Sequence, residues 1–169
     1  MQFSLLTTKT STVFVDQPTP LPESLGFVSF LGLTLSPSGN LFVSDFANEI
    51  RSYDLETGQL LDDLSTNYTG TVPSNNFIGN LTFTPDEKLY TVGFDFTNNN
   101  FGVILRYDGA TGNPLPAVGQ SGAIFVPTDS RLLRPVGIVY APINIPEGSS
   151  TVGLLSLGAL STILHRKRK

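Results

Sequence analysis

Leu33-Thr-Leu-Ser-Pro-Ser-Gly-Asn-Leu-Phe-Val43 aligns without a gap on Leu81-Thr-Phe-Thr-Pro-Asp-Glu-Lys-Leu-Tyr-Thr91. The first four residues of each copy alternate apolar and polar, the period of a half-buried strand. Pro37-Ser-Gly-Asn40 and Pro85-Asp-Glu-Lys88 then make turns, because proline presets φ for the first corner of a tight turn. Leu41 and Leu89 open second strands. Ile50-Arg-Ser-Tyr53 and Ile104-Leu-Arg-Tyr107 read as third strands. Each is followed by Asp and a Thr-Gly turn (Thr57-Gly58, Thr111-Gly112) into a fourth strand, expected near Leu60-Leu61 and near Leu115. About six extra residues in the second copy fall around Thr97 to Phe101. A third copy opens at Val136-Gly-Ile-Val-Tyr-Ala-Pro142.

These repeats predict an all-β chain of β-propeller-like blades, each of four antiparallel strands. The blades span about 32–64 and 80–118, with a partial third from 136, inside a domain of residues 1–142. The run from Gly32 to Asp45, closing on Ile50-Arg-Ser-Tyr-Asp54, resembles NHL-type blades of six-bladed propellers and their lyase- and lactonase-like relatives. A closed ring needs four or more blades. The expectation is therefore a partial propeller, completed by further sequence or by another copy.

Residues 143–169 read as a separate tail. Pro146-Glu147-Gly148 precedes an uncharged stretch over 149–164, and His165-Arg166-Lys167-Arg168-Lys169 follows. As a transmembrane helix the stretch spans roughly 25 Å, short of a bilayer core of about 30 Å. Arg166, Lys167, Arg168 and Lys169 form a basic stop, which the positive-inside rule keeps cytoplasmic with the body on the other side. A buried C-terminal helix or strand of the domain is the alternative. The arrangement resembles a PEP-CTERM sorting tail. That resemblance implies a bacterial, exported protein recognised by an exosortase-type membrane peptidase, with Gly148 standing where the family usually has a second proline. It places the tail in the inner membrane and the finished protein at the outer surface or in the extracellular matrix.

Composition narrows the chemistry. Without the terminal basic residues and Glu147, six Lys/Arg face thirteen Asp/Glu, a net charge near −7 that speaks against a nucleic-acid partner. No cysteine is present, so disulfides, thiolate catalysis and Cys-zinc sites are excluded. The only histidine is His165 in the basic end, which removes His-based triads and His-ligated zinc from the body. Met1 to Thr10 has no basic start followed by an apolar run, so it is not a secretory signal. Export would then require a natural start upstream.

Two loops carry the candidate ligands. Asp45, Asn48 and Glu49 sit between the second and third strands of the first copy, and Asp95 with Asn98, Asn99 and Asn100 in the matching loop of the second. Carboxylate and amide oxygens suit calcium or a sugar, and the same residues also make ordinary β-turns. Asp45, Asn48 and Asp95 are the metal candidates, with calcium the only cofactor considered. Asp54 and Asp108 recur at equivalent places, which favours a turn role. Arg51 and Arg106 are expected to pair with surface carboxylates, and Asp62-Asp63 to guard a sheet edge. Asn67-Tyr-Thr69 and Asn80-Leu-Thr82 match the N-glycosylation pattern, as expected by chance, with Asn80 opening a strand. No catalytic residue is assigned. The reading is a non-catalytic binding or scaffold protein whose partners are the bilayer, the sorting peptidase, and polysaccharide or other surface proteins. An incomplete metal-dependent hydrolase or lactonase is the rival.

Overall fold

The computed structural model describes residues 11–142 except Glu23 and Asn48. The sorting motif Pro146-Glu147-Gly148, the apolar stretch and the basic stop lie outside the described residues, as does the metal candidate Asn48. Among the described residues there is no helix, and so none long and apolar enough to cross a membrane.

The architecture is all-β: two four-stranded antiparallel sheets, each a simple meander. The first contains β1 (Phe30–Leu35), β2 (Leu41–Asp45), β3 (Glu49–Tyr53) and β4 (Leu60–Ser65). The second contains β5 (Asn76–Phe83), β6 (Lys88–Asp95), β7 (Phe101–Asp108) and β8 (Ile124–Leu133).

Equivalent turns are built identically in both sheets. Between the first two strands, Ser36 N–H donates to the Asn40 carbonyl and Thr84 N–H to the Lys88 carbonyl, both at 2.9 Å. After the third strand, Asp54 Oδ1 accepts from the backbone and hydroxyl of Thr57 at 2.7 and 2.8 Å. Asp108 Oδ1 does the same with Thr111, at 2.8 and 2.9 Å. Gly58 and Gly112 close these turns with φ of 72° and 69°, where glycine carries no Cβ penalty. The turn role expected of Asp54 and Asp108 is what the structure shows, and these bonds hold both carboxyls below their ordinary range.

The sheets pack face to face. Phe42, Ile50 and Leu64 of the first meet Ile78, Leu81, Leu89, Leu105 and Tyr107 of the second in one buried cluster. Successive strand side chains point to opposite faces, so each sheet has a second apolar face. On the first sheet, Leu33, Leu41, Val43 and Tyr53 line a trough of about 350 Å³, partly crossed by Phe14 and Val15. On the second, Thr82, Tyr90, Ile104 and Phe125 line one of about 330 Å³. The repeat explains this polarity. Phe42 and Ile50 correspond to Tyr90 and Ile104, and Leu41 and Tyr53 to Leu89 and Tyr107. The face that the first sheet buries against the second is thus presented again, outward, by the second.

Three expectations need correction. The fourth strand of the second sheet is β8, beyond the expected limit of 118, not the segment at Leu115. Leu115 N–H reaches the Arg106 carbonyl at 2.9 Å beside one isolated bridge, Tyr107 to Pro114. Gly119 and Gly122, with φ of 81° and 57°, then turn the chain back before it pairs along β7. The third copy forms no strand, yet it runs beside β5: Asn80 N–H donates to the Val136 carbonyl at 3.0 Å, and Asn80 Oδ1 accepts from Ile138 N–H at 2.6 Å. Asn80 consequently lies in the middle of β5, half-buried with its amide oxygen engaged, rather than opening the strand.

Candidate functional site

Asp45-Phe-Ala-Asn48 and Asp95-Phe-Thr-Asn98 repeat one short pattern at the ends of β2 and β6. In each, the aspartate Oδ1 accepts the N–H two residues on, from Ala47 at 3.2 Å and from Thr97 at 2.8 Å. In each, the following Phe N–H bonds the chain entering the sheet: Phe46 to the Ser29 carbonyl at 2.8 Å, Phe96 to the Asn75 carbonyl at 3.0 Å. This local device turns two phenylalanines toward the seam between the sheets.

There they close on Phe77 of β5. Phe46 stacks on Phe77 with centroids 4.3 Å apart and planes 9° apart. Phe96 lies on Phe77 at 5.0 Å and 30°. Phe94 meets Phe77 edge-on at 5.8 Å, with the Arg134 guanidinium 5.6 Å from the Phe94 centroid. Phe27 adds a tilted ring at 6.4 Å from Phe77. Phe27 and Phe96 remain 37% and 39% exposed, so the cluster is a core at its base and an open aromatic surface at its rim. Asp95 and the Asn98-Asn99-Asn100 turn flank it, with φ of 54° at Asn99 and 59° at Asn100. Rings bordered by amides and a carboxylate suit stacking on the C–H face of a sugar or on an apolar side chain.

The acidic candidates have other duties. Asp45 Oδ1 also accepts from Ser29 N–H at 2.8 Å, and its Oδ2 faces Arg51 Nη1 at 3.6 Å. Arg51 Nη2 pairs with Glu49 Oε2. All three residues are buried, which corrects the expectation of a surface pair for Arg51. Burial pushes the Glu49 carboxyl above its ordinary value, Arg51 opposes that, and the negative Asp63 and Asp45 add to it. The guanidinium thus stands where a cation would have to sit, and the residues do not fit calcium at Asp45. Asp95 Oδ1 is held by Thr97 N–H and by its hydroxyl, at 2.7 Å. Among the described residues no group of three or more acidic, His or Cys side chains is placed to hold a metal. Arg106, expected on a surface ion pair, instead donates from Nε to the Leu115 carbonyl at 2.9 Å and covers the Phe125 ring at 4.1 Å.

Beside the seam, the β4–β5 and β7–β8 linkers enclose a cavity of about 320 Å³ lined by Thr66, Tyr68, Tyr107 and Ser121, with no charged side chain. Burial drives the Tyr68 phenol well above its usual range, with a smaller contribution from Asp95.

The aromatic cluster escaped the sequence reading, which weighed the loops by their oxygens. The repeated Asp-Phe-x-Asn was the available signal. No protein family, curated protein or solved structure matches the chain.

Proposed function

We propose that the chain is an exported bacterial surface or extracellular-matrix protein that binds other surface material without catalysis, on β-propeller-type blades. The observation that carries the binding reading is the half-open Phe27–Phe46–Phe77–Phe96 surface, which the same hairpin device builds from two consecutive sheets. The blade reading draws on the face-to-face packing of the two repeat sheets and on residues 136–140 lying against β5 at Asn80 and Thr82. The address rests on the likeness of residues 146–169 to a PEP-CTERM tail, which brings an exosortase-type peptidase and the bilayer as partners.

The metal-dependent hydrolase reading gains no support at Asp45 or Asp95, whose oxygens hold their own turns.

Affinity electrophoresis of the full chain through gels cast with neutral or acidic polysaccharides tests the binding role. Retarded migration is expected, and Phe27→Ala combined with Phe96→Ala should abolish it while leaving the melting temperature within a few degrees. Unretarded migration in every polysaccharide, with no surface protein retained on the immobilised chain either, would overturn it.

A further inference from the structure

The cavity between the β4–β5 and β7–β8 linkers differs in chemistry from the phenylalanine surface and shares no residue with it. Thr66, Asn67 and Tyr68 line it from the first linker, Pro114 and Ser121 from the second, and Tyr107 from β7. Pro114 and Ser121 are exposed, so a small solute can enter on that side. The volume of about 320 Å³ stands at the low end of small-molecule pockets, about 300–1,000 Å³, and suits one sugar ring rather than a chain.

Thr66 is 1% exposed, and its Oγ1 has no hydrogen-bond partner among the described residues. The buried Tyr68 hydroxyl has none either. A buried hydroxyl without a partner is costly, so two in the lining of one cavity point to a ligand. The neighbouring polar groups are already committed. Asn67 Oδ1 accepts from Gly70 N–H at 3.0 Å and from the Ser74 hydroxyl at 3.2 Å, and its Nδ2 donates to the Thr71 carbonyl at 2.7 Å. The Tyr107 hydroxyl is engaged with the Ser65 carbonyl. These bonds fix the wall in advance, which spares a ligand the cost of ordering it. What Thr66 and Tyr68 offer is hydroxyl, a group that both donates and accepts. Burial holds the Tyr68 phenol above its usual range, so it keeps its proton.

Charge does not suit the cavity. No charged side chain lines it to offset the dehydration of an ion, and the negative Asp95, whose charge reaches Tyr68, opposes an anion. We propose that the cavity binds a neutral polyhydroxylated molecule the size of one sugar ring, its hydroxyls bonding Thr66 Oγ1 and Tyr68 Oη. This second site stands independently of the phenylalanine surface.

Saturation-transfer NMR on the full chain tests this with D-glucose, D-galactose, D-mannose and myo-inositol at millimolar concentration, beside glucuronate and glucosamine as charged counterparts. Transfer to at least one neutral compound is expected, and little or none to the charged ones. Thr66→Val and Tyr68→Phe each remove one hydroxyl and little else. Each should weaken binding by about tenfold or more while leaving the melting temperature unchanged or higher, because an unpartnered hydroxyl holds no structure. Phe27→Ala with Phe96→Ala should leave this binding intact, so that failure of the phenylalanine surface and failure of the cavity are told apart. Transfer to no neutral compound, or equal transfer to the charged ones, would overturn the proposal and leave the cavity to water. Binding that survives both hydroxyl substitutions would place the sugar elsewhere and overturn it too. So would a fall in melting temperature in both variants, since the hydroxyls would then already serve the fold.

Discussion

Gly32 of β1 and Asn80 of β5 touch backbone to backbone: a Cβ on Gly32 would sit 2.6 Å from the Asn80 Cβ and 2.7 Å from its Cα. The two residues are repeat equivalents, so at this close approach between the sheets the copies meet at their own counterparts. Gly32→Ala has no flexible atom to push aside and should cost about 1–3 kcal/mol. Urea unfolding monitored by circular dichroism checks this, the midpoint falling with an unchanged slope.

The turn between β5 and β6 carries a correctable strain. Glu87 has φ of 60°, whereas its counterpart Gly39 holds 92° as glycine. A non-glycine residue in that region costs about 1–2 kcal/mol, partly offset by the greater freedom of glycine in the unfolded chain. Glu87→Gly should therefore raise stability by up to about 1 kcal/mol. A melting temperature equal to or below that of the parent would contradict the assignment of strain.

Phe77 is the middle ring of its stack and Phe96 the outer one. Phe77→Ala should cost about 3 kcal/mol, the lower end for a large aromatic because the ring is only half-buried. Phe96→Ala should cost clearly less while losing whatever the aromatic surface binds. Paired melts and binding assays on the two variants separate the base of the cluster from its rim.

Arg51 sets its one positive charge between two buried carboxylates, Asp45 and Glu49. Arg51→Met alone should cost about 3–5 kcal/mol by leaving those charges without a partner, while Arg51→Met with Glu49→Met should recover much of the loss. A double-mutant cycle reads the coupling. An additive result would mean that the pair does not act as a unit.

Glu49 also gives the pH dependence a particular sign. Its folded pKa lies above the ordinary 4.5, so the stability linked to its proton is full below that value and is lost as pH rises through the folded pKa. Glu49→Gln should remove this decline, so that the variant gains on the parent between acid and neutral pH. Asp54 and Asp108 act oppositely. Their folded values lie below 3.8, and their contribution fades as pH falls through them. Melting curves from pH 3 to 8 on the parent and on Glu49→Gln test both signs.

Much of the fold was legible because its determinants are local. Leu33-Thr-Leu-Ser and Leu81-Thr-Phe-Thr each sit on one strand and its turn, and Asp54-to-Gly58 reproduces Asp108-to-Gly112 residue by residue. β8 was not legible, because Leu115 carries the same local signal as Leu60, and only the return through Gly119 and Gly122 decides which segment pairs with β7. At the site, the turn chemistry of Asp45 and Asp95 could be read, but not its consequence. Arg51 looked like a surface cation because adjacent residues do not reveal which sheet face is covered. The Phe stack gathers rings from β5, β6 and two hairpins, and no periodicity announces such a meeting.

Because each sheet is a meander closed within its own stretch of chain, residues 30–65 pair with nothing beyond themselves before the second sheet forms. Short loops are quick to close, and long-range contacts wait for them. The first sheet's strand pairing is complete within residues 30–65, before any residue of the second sheet is needed. The meeting of faces spans the longer sequence separation, as in the Tyr107 hydroxyl that donates to the Ser65 carbonyl at 3.2 Å. On contact order alone, the joint expected to close last is the seam that also gathers the phenylalanines.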